Sequence, residues 1–276
     1  MSRRNRINRL IFEFPPARLM GRWIYKARRG SQIQAQSTAT KFFRNLNQIA
    51  AFEGPLRPLA EAGRMRVLVA GCSMGCEAFT LAGFLDQKFP ALDVQIEAND
   101  ICEAALAVAR AAIYSREHGL GSGIGGLAGD LESAMFNREG ESWRVVEDLR
   151  ARVTFDHADV LSPEFTRFEG FDVVVGQNFM IHMDAEQEAR SFANLVRATR
   201  PGGALFLGGM DLDRRPGLVE RHQLRPLDWN VAAIHDDDEM RRSAWPWTYW
   251  SLEPINHGLP DFLARYATIF CKGSGS

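Results

Sequence analysis

The 276-residue chain has the composition of a water-soluble globular protein, with 46% hydrophobic and 24% charged residues, enough to build a sizeable core. Its net charge of −1 excludes a general attraction to nucleic acid. The four cysteines form no C-x-x-C pair and have no histidine at zinc-ligand spacing, so we expect no metal site and no disulfide framework, but the reduced thiols of a cytoplasmic protein.

The first 30 residues are strongly basic, with nine arginines or lysines against the single acid Glu13 and with apolar residues interleaved. Such a segment could contact an acidic partner or an anionic membrane surface. The simpler interpretation, which we favour, is a basic N-terminal arm over residues 1–37 that packs its apolar residues on the domain and leaves its arginines in water. No apolar run reaches the roughly 20 residues that a membrane-spanning helix needs.

A single continuous domain is predicted for residues 38–272, and the last residues, 273–276, are typical of an added linker. Near the start of the domain, Thr40 precedes an apolar run and is a candidate helix N-cap. Arg44 follows one turn later and would share a helical face with the Thr40 hydroxyl.

A strand, a glycine-rich turn and a helix follow from residue 66. The run of β-forming residues 66–70 breaks at Gly71, Gly75 comes four residues later, and a helical apolar pattern begins at Glu77. This arrangement is typical of nucleotide-type binding sites, in which the helix N-terminus faces the ligand. The G-x-x-x-G spacing alone does not identify the nucleotide.

The second strand ends in Asn99 and Asp100. In the dinucleotide-binding fold, an acid at the end of this strand accepts hydrogen bonds from the ribose hydroxyls. Asp100 could also cap the helix that follows, and the two roles are compatible. Beyond that helix, residues 115–142 are rich in glycine and predict a flexible insertion, either a loop that closes over a site or a disordered connector.

The rest of the chain continues the alternation of strands and helices. Further strands are predicted at residues 152–155, 171–176, 204–207, 229–234 and 265–270, with helices at 185–199 and 217–223 and a Trp-rich insertion at 235–263. The pattern predicts an α/β fold of the Rossmann-like class I methyltransferase type: a seven-stranded, mostly parallel sheet with an antiparallel final strand. Ligands of such sheets bind at the carboxyl ends of the strands.

Four sequence blocks, in order, resemble the chemotaxis receptor methyltransferase (CheR-type) family over residues 38–212. The blocks are Thr40-Lys41-Phe42-Phe43-Arg44, the turn from Ala70 to Glu77, Asn99-Asp100-Ile101 with Ala109-Arg110 and Ile113-Tyr114, and Asn178-Phe179-Met180-Ile181-His182. The resemblance implies a catalytic domain that uses S-adenosylmethionine (SAM), releases S-adenosylhomocysteine and needs no metal.

The same resemblance implies which residues bind the cofactor. They are Thr40, Arg44, Gly71, Ser73, Gly75, Glu77, Asp100, Ile101, Asp159, Val160, Gln177 and Asn178. Asp100 would hold the ribose diol, Asp159 would accept a hydrogen bond from the adenine amino group, and Glu77 would pair with a cationic part of the cofactor.

Two residues are candidates for catalysis. Arg44 matches the family arginine that lies beside the transferring methyl group and orients the acceptor carboxylate. Where the family carries Arg-Asn and then a tyrosine, this chain has Gln177-Asn178 and His182. His182 is therefore either a hydrogen-bonding group or general base, or a packed histidine. The small β-subdomain with which the family docks on receptor tails is not apparent in the sequence.

We therefore expect a SAM-dependent O-methyltransferase whose acceptor is an anionic small molecule rather than a chemoreceptor. Four aromatic residues are candidate walls of the acceptor pocket or, equally, a hydrophobic plug under the last strand: Trp245, Trp247, Tyr249 and Trp250. One alternative is a protein glutamate or carboxyl O-methyltransferase that docks through the basic arm. Another is a SAM-binding sensor or scaffold without catalysis. A nucleic-acid substrate is disfavoured because residues 177–180 lack an Asn/Asp-Pro-Pro-aromatic block.

Overall fold

A computed structural model describes residues 14–30, 40–121, 126–236, 245–247 and 252–274. These residues contain ten strands, which are β1 (Arg64–Ala70), β2 (Asp93–Asp100), β3 (Ile113–Tyr114), β4 (Phe136–Glu139), β5 (Ser142–Val145), β6 (Val153–His157), β7 (Phe171–Gln177), β8 (Thr199–Gly208), β9 (Leu224–Pro226) and β10 (Ile269–Lys272). Seven of them form one large sheet in the order β6-β2-β1-β7-β8-β10-β9.

The large sheet has the predicted topology. Strands β6, β2, β1, β7 and β8 are parallel to one another, whereas β10 is antiparallel to both β8 and β9. The predicted fold class, a mostly parallel seven-stranded sheet with an antiparallel final strand, is confirmed.

Helices cover both faces of this sheet. They are α1 (Pro15–Gly30), α2 (Leu46–Ile49), α3 (Arg57–Ala60), α4 (Cys76–Lys88), α5 (Glu103–Ala111), α6 (Leu127–Met135), α7 (Glu147–Arg150), α8 (Ala185–Ala198), α9 (Arg215–Arg221), α10 (Val231–Asp236) and α11 (Phe262–Tyr266). In β1, Val67 and Val69 belong to the core on one face, and Leu68 and Ala70 to the core on the other. Burial on both faces explains why the central strands β1 and β7 are continuous apolar runs, whereas buried and exposed residues alternate in the first part of β2.

A second, three-stranded antiparallel sheet in the order β3-β5-β4 brackets residues 115–142, which the sequence predicted as a flexible insertion: β3 precedes that segment, β4 lies within it and β5 begins at its last residue. Residues 126–142 of that segment form α6, the hairpin strand β4 and the start of β5. The chain thus contains a small β-unit that the sequence analysis did not find. The glycine-rich residues 122–125 lie outside the described residues.

The C-terminal part departs from the prediction in two places. Residues 229–234, expected to be a strand, instead lead into α10, and the sixth strand of the sheet is the three-residue β9. The final strand, expected at 265–270, begins only at Ile269, because α11 extends to Tyr266. Val231 and His235 are both buried, four residues apart on one face of α10, which is helical rather than strand periodicity.

The N-terminal arm also differs from expectation. Its described part is the 16-residue helix α1, in which Arg18 is buried while Leu19 and Trp23 are exposed. The preferred interpretation, apolar residues inward and arginines in water, is therefore wrong for these positions. Within the described residues, every helix is too short or too polar to pass through a bilayer.

Candidate functional site

A cavity of about 260 Å³ opens at the carboxyl ends of β1, β2 and β7. Twelve residues singled out from the sequence line it: Thr40, Arg44, Gly71, Ser73, Glu77, Asp100, Ile101, Asp159, Val160, Gln177, Asn178 and His182. The four sequence blocks, distant along the chain, therefore meet at one site. Gly75 lies in the adjoining turn rather than in the cavity wall.

The glycine turn between β1 and α4 uses left-handed backbone conformations. Gly71 has a φ of +67°, and a Cβ there would lie 2.7 Å from the Phe179 ring. Gly75 has a φ of +79°, and its Cβ would lie 2.9 Å from Phe155. Ser73 adopts a φ of 50° although it is not a glycine. A residue keeps such a conformation only where its surroundings fix it, and this happens often at ligand sites.

The Asp100 side chain holds Ser73 in this conformation. One of its carboxylate oxygens accepts a 2.7 Å hydrogen bond from the Ser73 N–H, and the other accepts a 2.9 Å bond from the Cys102 N–H at the start of α5. The carboxylate thus joins the glycine turn to the next helix, and each oxygen retains a lone pair for a ligand hydroxyl. Next to it, the buried Asn99 lines the cavity, and its Nδ2 has no hydrogen-bond partner among the described residues.

The small sheet supports the glycine turn from behind. The Tyr114 hydroxyl, on β3, donates a 2.7 Å hydrogen bond to the Met74 carbonyl. Phe42 packs edge-on against Tyr114 and Phe136, with ring centroids 4.8 and 4.9 Å apart, and its N–H donates to the His118 carbonyl. Sequence analysis quoted Tyr114 as part of the resemblance but gave it no role. Its position at the start of the glycine-rich insertion was the available signal.

The segment from Thr40 to Asn45 forms one wall of the cavity. Phe43 has a φ of 60°, and its N–H donates to the Thr80 hydroxyl on α4. The Asn45 amide donates a 2.8 Å hydrogen bond to the Glu77 carboxylate. Burial raises the pKa of Glu77 to about 7, and the Asn45 hydrogen bond and the Arg44 charge oppose this shift only in part. The cavity wall therefore contains a carboxyl group that a cationic ligand would ionise.

A second wall of the cavity follows β7. Asn178 has a φ of 61°, and its N–H donates to the Gly208 carbonyl. Gly209 lies so close that a Cβ there would be 2.5 Å from the Asn178 Cα. The Gln177 side chain donates a 2.7 Å bond to Gln48, so its amide joins β7 to α2. His182 lies in the short 3₁₀ turn after β7 and reaches the cavity.

The third wall follows β6 and the end of β2. Asp159 accepts a hydrogen bond from the Leu161 N–H, and the Asn194 amide donates to the Val160 carbonyl. Ile101 is 45% exposed at the rim. Val160 and Ile101 offer apolar surface beside the Asp159 carboxylate, a combination that suits a flat heterocycle with an amino group.

A second, smaller cavity of about 70 Å³ adjoins the first. Arg44, Asn45, Gln177 and Asn178 line both, and Arg215 lines the second alone. No acidic residue occurs among the described residues that line the second cavity.

Arg215 is buried within α9 and is only partly satisfied. Its Nη1 donates to the carbonyls of Arg265 and Ala267, while its Nε has no hydrogen-bond partner among the described residues. Burial lowers the pKa of Arg215 to about 10, so the guanidinium stays charged at neutral pH. The second cavity is accordingly cationic.

The tryptophans expected to wall the acceptor pocket do not line either of these cavities. Trp245 is 2% exposed and lines a separate 30 Å³ pocket, and Trp247 is 51% exposed. Tyr249 and Trp250 lie outside the described residues. Trp245 thus fits the alternative interpretation, a hydrophobic plug.

The cysteines near the cavity are unreactive. Burial raises the pKa of the Cys72 thiol, and it raises that of Cys76 to about 12. All four cysteines are free thiols. The described part of the chain contains no group of three or more His, Cys, Asp or Glu residues that could hold a metal ion.

The residues of the larger cavity fit the cofactor that the sequence implied. Asp100 presents oriented carboxylate oxygens for a diol, and the orphaned Asn99 amide offers a free donor within the same wall. Glu77, on α4, lines the same cavity, where a cationic amino or sulfonium group would ionise it.

Comparison with known proteins agrees with this arrangement. The family model for "CheR methyltransferase, SAM binding domain" matches residues 38–220. A chemotaxis protein methyltransferase of Listeria monocytogenes is 26% identical over 200 residues, which is 71% of this chain and 70% of the relative. A probable biofilm formation methyltransferase, WspC, of Pseudomonas putida is 30% identical over 62% of this chain and 39% of its own length. A solved O-methyltransferase family protein from Burkholderia thailandensis is 16% identical with a TM-score of 0.39, covering 84% of this chain and 59% of that one.

Proposed function

The chain belongs to the CheR methyltransferase family and is a SAM-dependent methyltransferase, and from that premise we propose that it methylates a carboxylate oxygen on a protein acceptor. The sequence favoured a small-molecule acceptor, with a protein carboxylate as an alternative. The names of the relatives, chemotaxis and biofilm methyltransferases, reverse that preference. The two tryptophans that the structure describes give the small-molecule interpretation no acceptor wall.

One observation carries the acceptor assignment: Arg44 lines the cofactor-sized cavity and also the adjoining cationic cavity that contains Arg215. A carboxylate is the acceptor that two guanidinium groups would select in a cavity whose described lining contains no acidic side chain; Glu188 and Asp211 act on the Arg215 charge from outside that lining. The second cavity has room for a side-chain carboxyl group. An acceptor presented on a protein surface would thus extend a glutamate side chain into it.

SAM supplies a methyl group already activated by its sulfonium, so the protein needs chiefly to align the acceptor. We assign the ribose to Asp100, the adenine to Asp159, Val160 and Ile101, and the cationic methionine part to Glu77. Arg44 would hold one oxygen of the acceptor carboxylate, and it would keep that group ionised and therefore nucleophilic. His182, on the β7 wall of the same cavity, would orient the acceptor by a hydrogen bond.

Transfer of label from methyl-labelled SAM tests the proposal. The protein is incubated with a total cell extract, and labelled protein is separated from labelled small molecules. We expect label on protein that mild base releases as methanol, as an ester requires. Label confined to small molecules, or base-stable label on protein, would refute the carboxylate assignment.

Two arginine variants sharpen the test. Arg44→Ala is expected to lower turnover at least about 100-fold while SAM affinity falls far less, because the lost contact is mainly to the acceptor. Arg215→Met, of similar length but uncharged, should raise the KM for the acceptor. Arg221→Met serves as the control, since Arg221 is an exposed residue of the same helix. Equal losses of turnover and SAM affinity in Arg44→Ala would assign that residue to the cofactor alone.

A further inference from the structure

Helix α1 carries its apolar residues on the face that meets solvent. Pro16, Leu19, Met20, Trp23 and Ala27 recur at i, i+3, i+4, i+7 and i+11 and so share one side of the helix. Leu19, Met20 and Trp23 are 67%, 57% and 72% exposed. We call these five residues the outer stripe. A surface helix of a globular domain normally turns such a stripe towards the core, so the outer stripe indicates a binding surface.

The opposite face of α1 fixes this orientation. The buried Arg18 donates a 3.1 Å hydrogen bond to Glu253 and a 2.9 Å bond to the Pro254 carbonyl. Arg22 donates to the other oxygen of Glu253 and, at 2.7 Å, to Asp213. Rotating the helix to bury the outer stripe would break this network and leave Glu253 buried and unpaired, a large penalty. The outward orientation is therefore held by buried ion pairs.

Charge is distributed very unevenly between this region and the rest of the chain. The first 30 residues carry nine basic residues and one acid, a net charge of +8, which leaves −9 for the remaining 246 residues because the whole chain carries −1. On α1 itself, Lys26 and Arg28 are exposed. Four further arginines precede the helix in the sequence, at positions 3, 4, 6 and 9.

We propose that α1 docks on the headgroup region of an anionic lipid bilayer, with the outer stripe inserted among the upper acyl chains. Exposed tryptophan, leucine and methionine beside lysine and arginine is the composition of helices that lie in a membrane interface. Arg28 and the arginines that precede α1 would meet the anionic headgroups, each adding to the attraction. Arg18, Arg22 and Lys26 pair with Glu253 or Asp213 instead. Arg28, in the last turn of α1, donates a 3.1 Å hydrogen bond to the Trp247 carbonyl. The half-exposed Trp247 therefore lies next to the end of this helix.

Two other occupants fit the observations less well. A second copy packed symmetrically through the outer stripe would bring two segments of charge +8 together, and their repulsion opposes association. An acidic peptide would satisfy the basic residues, but it would leave the exposed Trp23 and Leu19 unexplained. Only a surface that is both anionic and apolar just below its polar layer complements both features. The proposal does not depend on which acceptor the enzyme methylates.

Sedimentation of the full chain with lipid vesicles tests the proposal. We expect partitioning at least about 10-fold stronger on phosphatidylcholine vesicles that contain about 30% phosphatidylserine than on pure phosphatidylcholine. Salt at about 0.5 M should remove most of that difference by screening. Bromine-labelled acyl chains should quench part of the tryptophan fluorescence, and Trp23→Phe should lack that part.

Variants of the outer stripe test whether its apolar side chains are needed for vesicle binding. The double variant Leu19→Ser/Trp23→Ser is expected to bind anionic vesicles about 10-fold or more weakly, because it loses most of the apolar area. Its fold should be unchanged, since these side chains contact solvent. Ile113→Ser is the matched control: Ile113 is an exposed aliphatic residue on β3, and its loss should leave vesicle binding unaltered.

Three outcomes would overturn the proposal. They are equal binding to neutral and anionic vesicles, equal weakening by the control variant, and no vesicle binding at all. In the last case, a concentration-dependent dimer that the double variant abolishes would assign the outer stripe to a second copy. Capture of a soluble acidic protein by the stripe, without vesicle binding, would assign it to a protein partner.

Discussion

The raised pKa of Glu77 makes cofactor binding depend on pH. In the free protein, burial holds this carboxyl at a pKa of about 7, against a usual value of 4.5. A cation in the cavity favours the ionised form and returns the pKa towards 4.5, so binding at acid pH must first release a proton. The affinity for SAM should therefore rise with pH up to about 7 and level off above it.

The size of this effect follows from the two pKa values. If the complex has the usual pKa, affinity falls about 15-fold between about pH 7.0 and about pH 5.5. Calorimetric titration with SAM in two buffers of different ionisation enthalpy measures both the affinity and the proton released. We expect close to one proton released near pH 5.5 and far fewer near pH 7.5.

Glu77→Gln isolates the group responsible. The variant should bind SAM with a nearly constant affinity across this range, below wild type at pH 7.5 and close to it at pH 5.5. Glu147→Gln is the control, because Glu147 is an exposed carboxylate that does not line the cavity. A wild-type affinity that does not change with pH, or a Glu77→Gln profile that parallels wild type, would refute the reasoning.

The same shift predicts a stability difference without ligand. Because the folded-state pKa of Glu77 lies above the unfolded value, its contribution to stability is complete below pH 4.5 and is lost as pH rises through 7. Glu77→Gln should thus melt at a higher temperature than wild type at pH 8. At pH 4.5 the two proteins should differ little.

Other positions give sharp predictions. Asp100→Asn keeps the size of the side chain, but its single oxygen can accept only one of the two backbone hydrogen bonds. SAM affinity should therefore fall about 10-fold or more by calorimetry, and an unchanged Kd would contradict the ribose assignment. Gly209→Ala forces a Cβ to 2.5 Å from Asn178 and should destabilise the fold by about 2 kcal/mol or more in denaturant titration, whereas Gly217→Ala, with open space around it, should be neutral or stabilising. Tyr114→Phe removes the hydroxyl that holds the glycine turn and should lower stability by about 1 kcal/mol and SAM affinity several-fold; a loss of stability alone would limit Tyr114 to packing.

The positions of the central strands in the sequence could be predicted because each carries its signal locally. Buried parallel strands are continuous apolar runs, and the polar residues that follow them mark the edge where ligands bind. For that reason Gly71, Asp100, Asp159 and Asn178 could be placed at one edge of a sheet from the sequence alone.

The parts that could not be predicted depend on distant contacts. Arg18 is buried because Glu253, 235 residues later, pairs with it, and no local pattern contains that information. Strand β9 is three residues long, ends in Pro226 and exists because β10 offers it an edge. Arg215 lines the second cavity because the fold brings α9 to the edge of the sheet. The sequence around Arg215 resembles that of any charged surface helix.

The small sheet β3-β5-β4 couples two parts of the cofactor site, because it contacts both of them. It holds the glycine turn through Tyr114 and the Thr40–Asn45 segment through Phe42. The glycine turn and that segment therefore both rest on one short antiparallel unit. Linkage then requires reciprocity: a molecule that binds this unit and shifts either wall must change the affinity for the cofactor, and the cofactor must change the affinity for that molecule by the same factor. An inhibitor of such an enzyme would thus have a second place to bind, outside the cavity that the cofactor and the acceptor share.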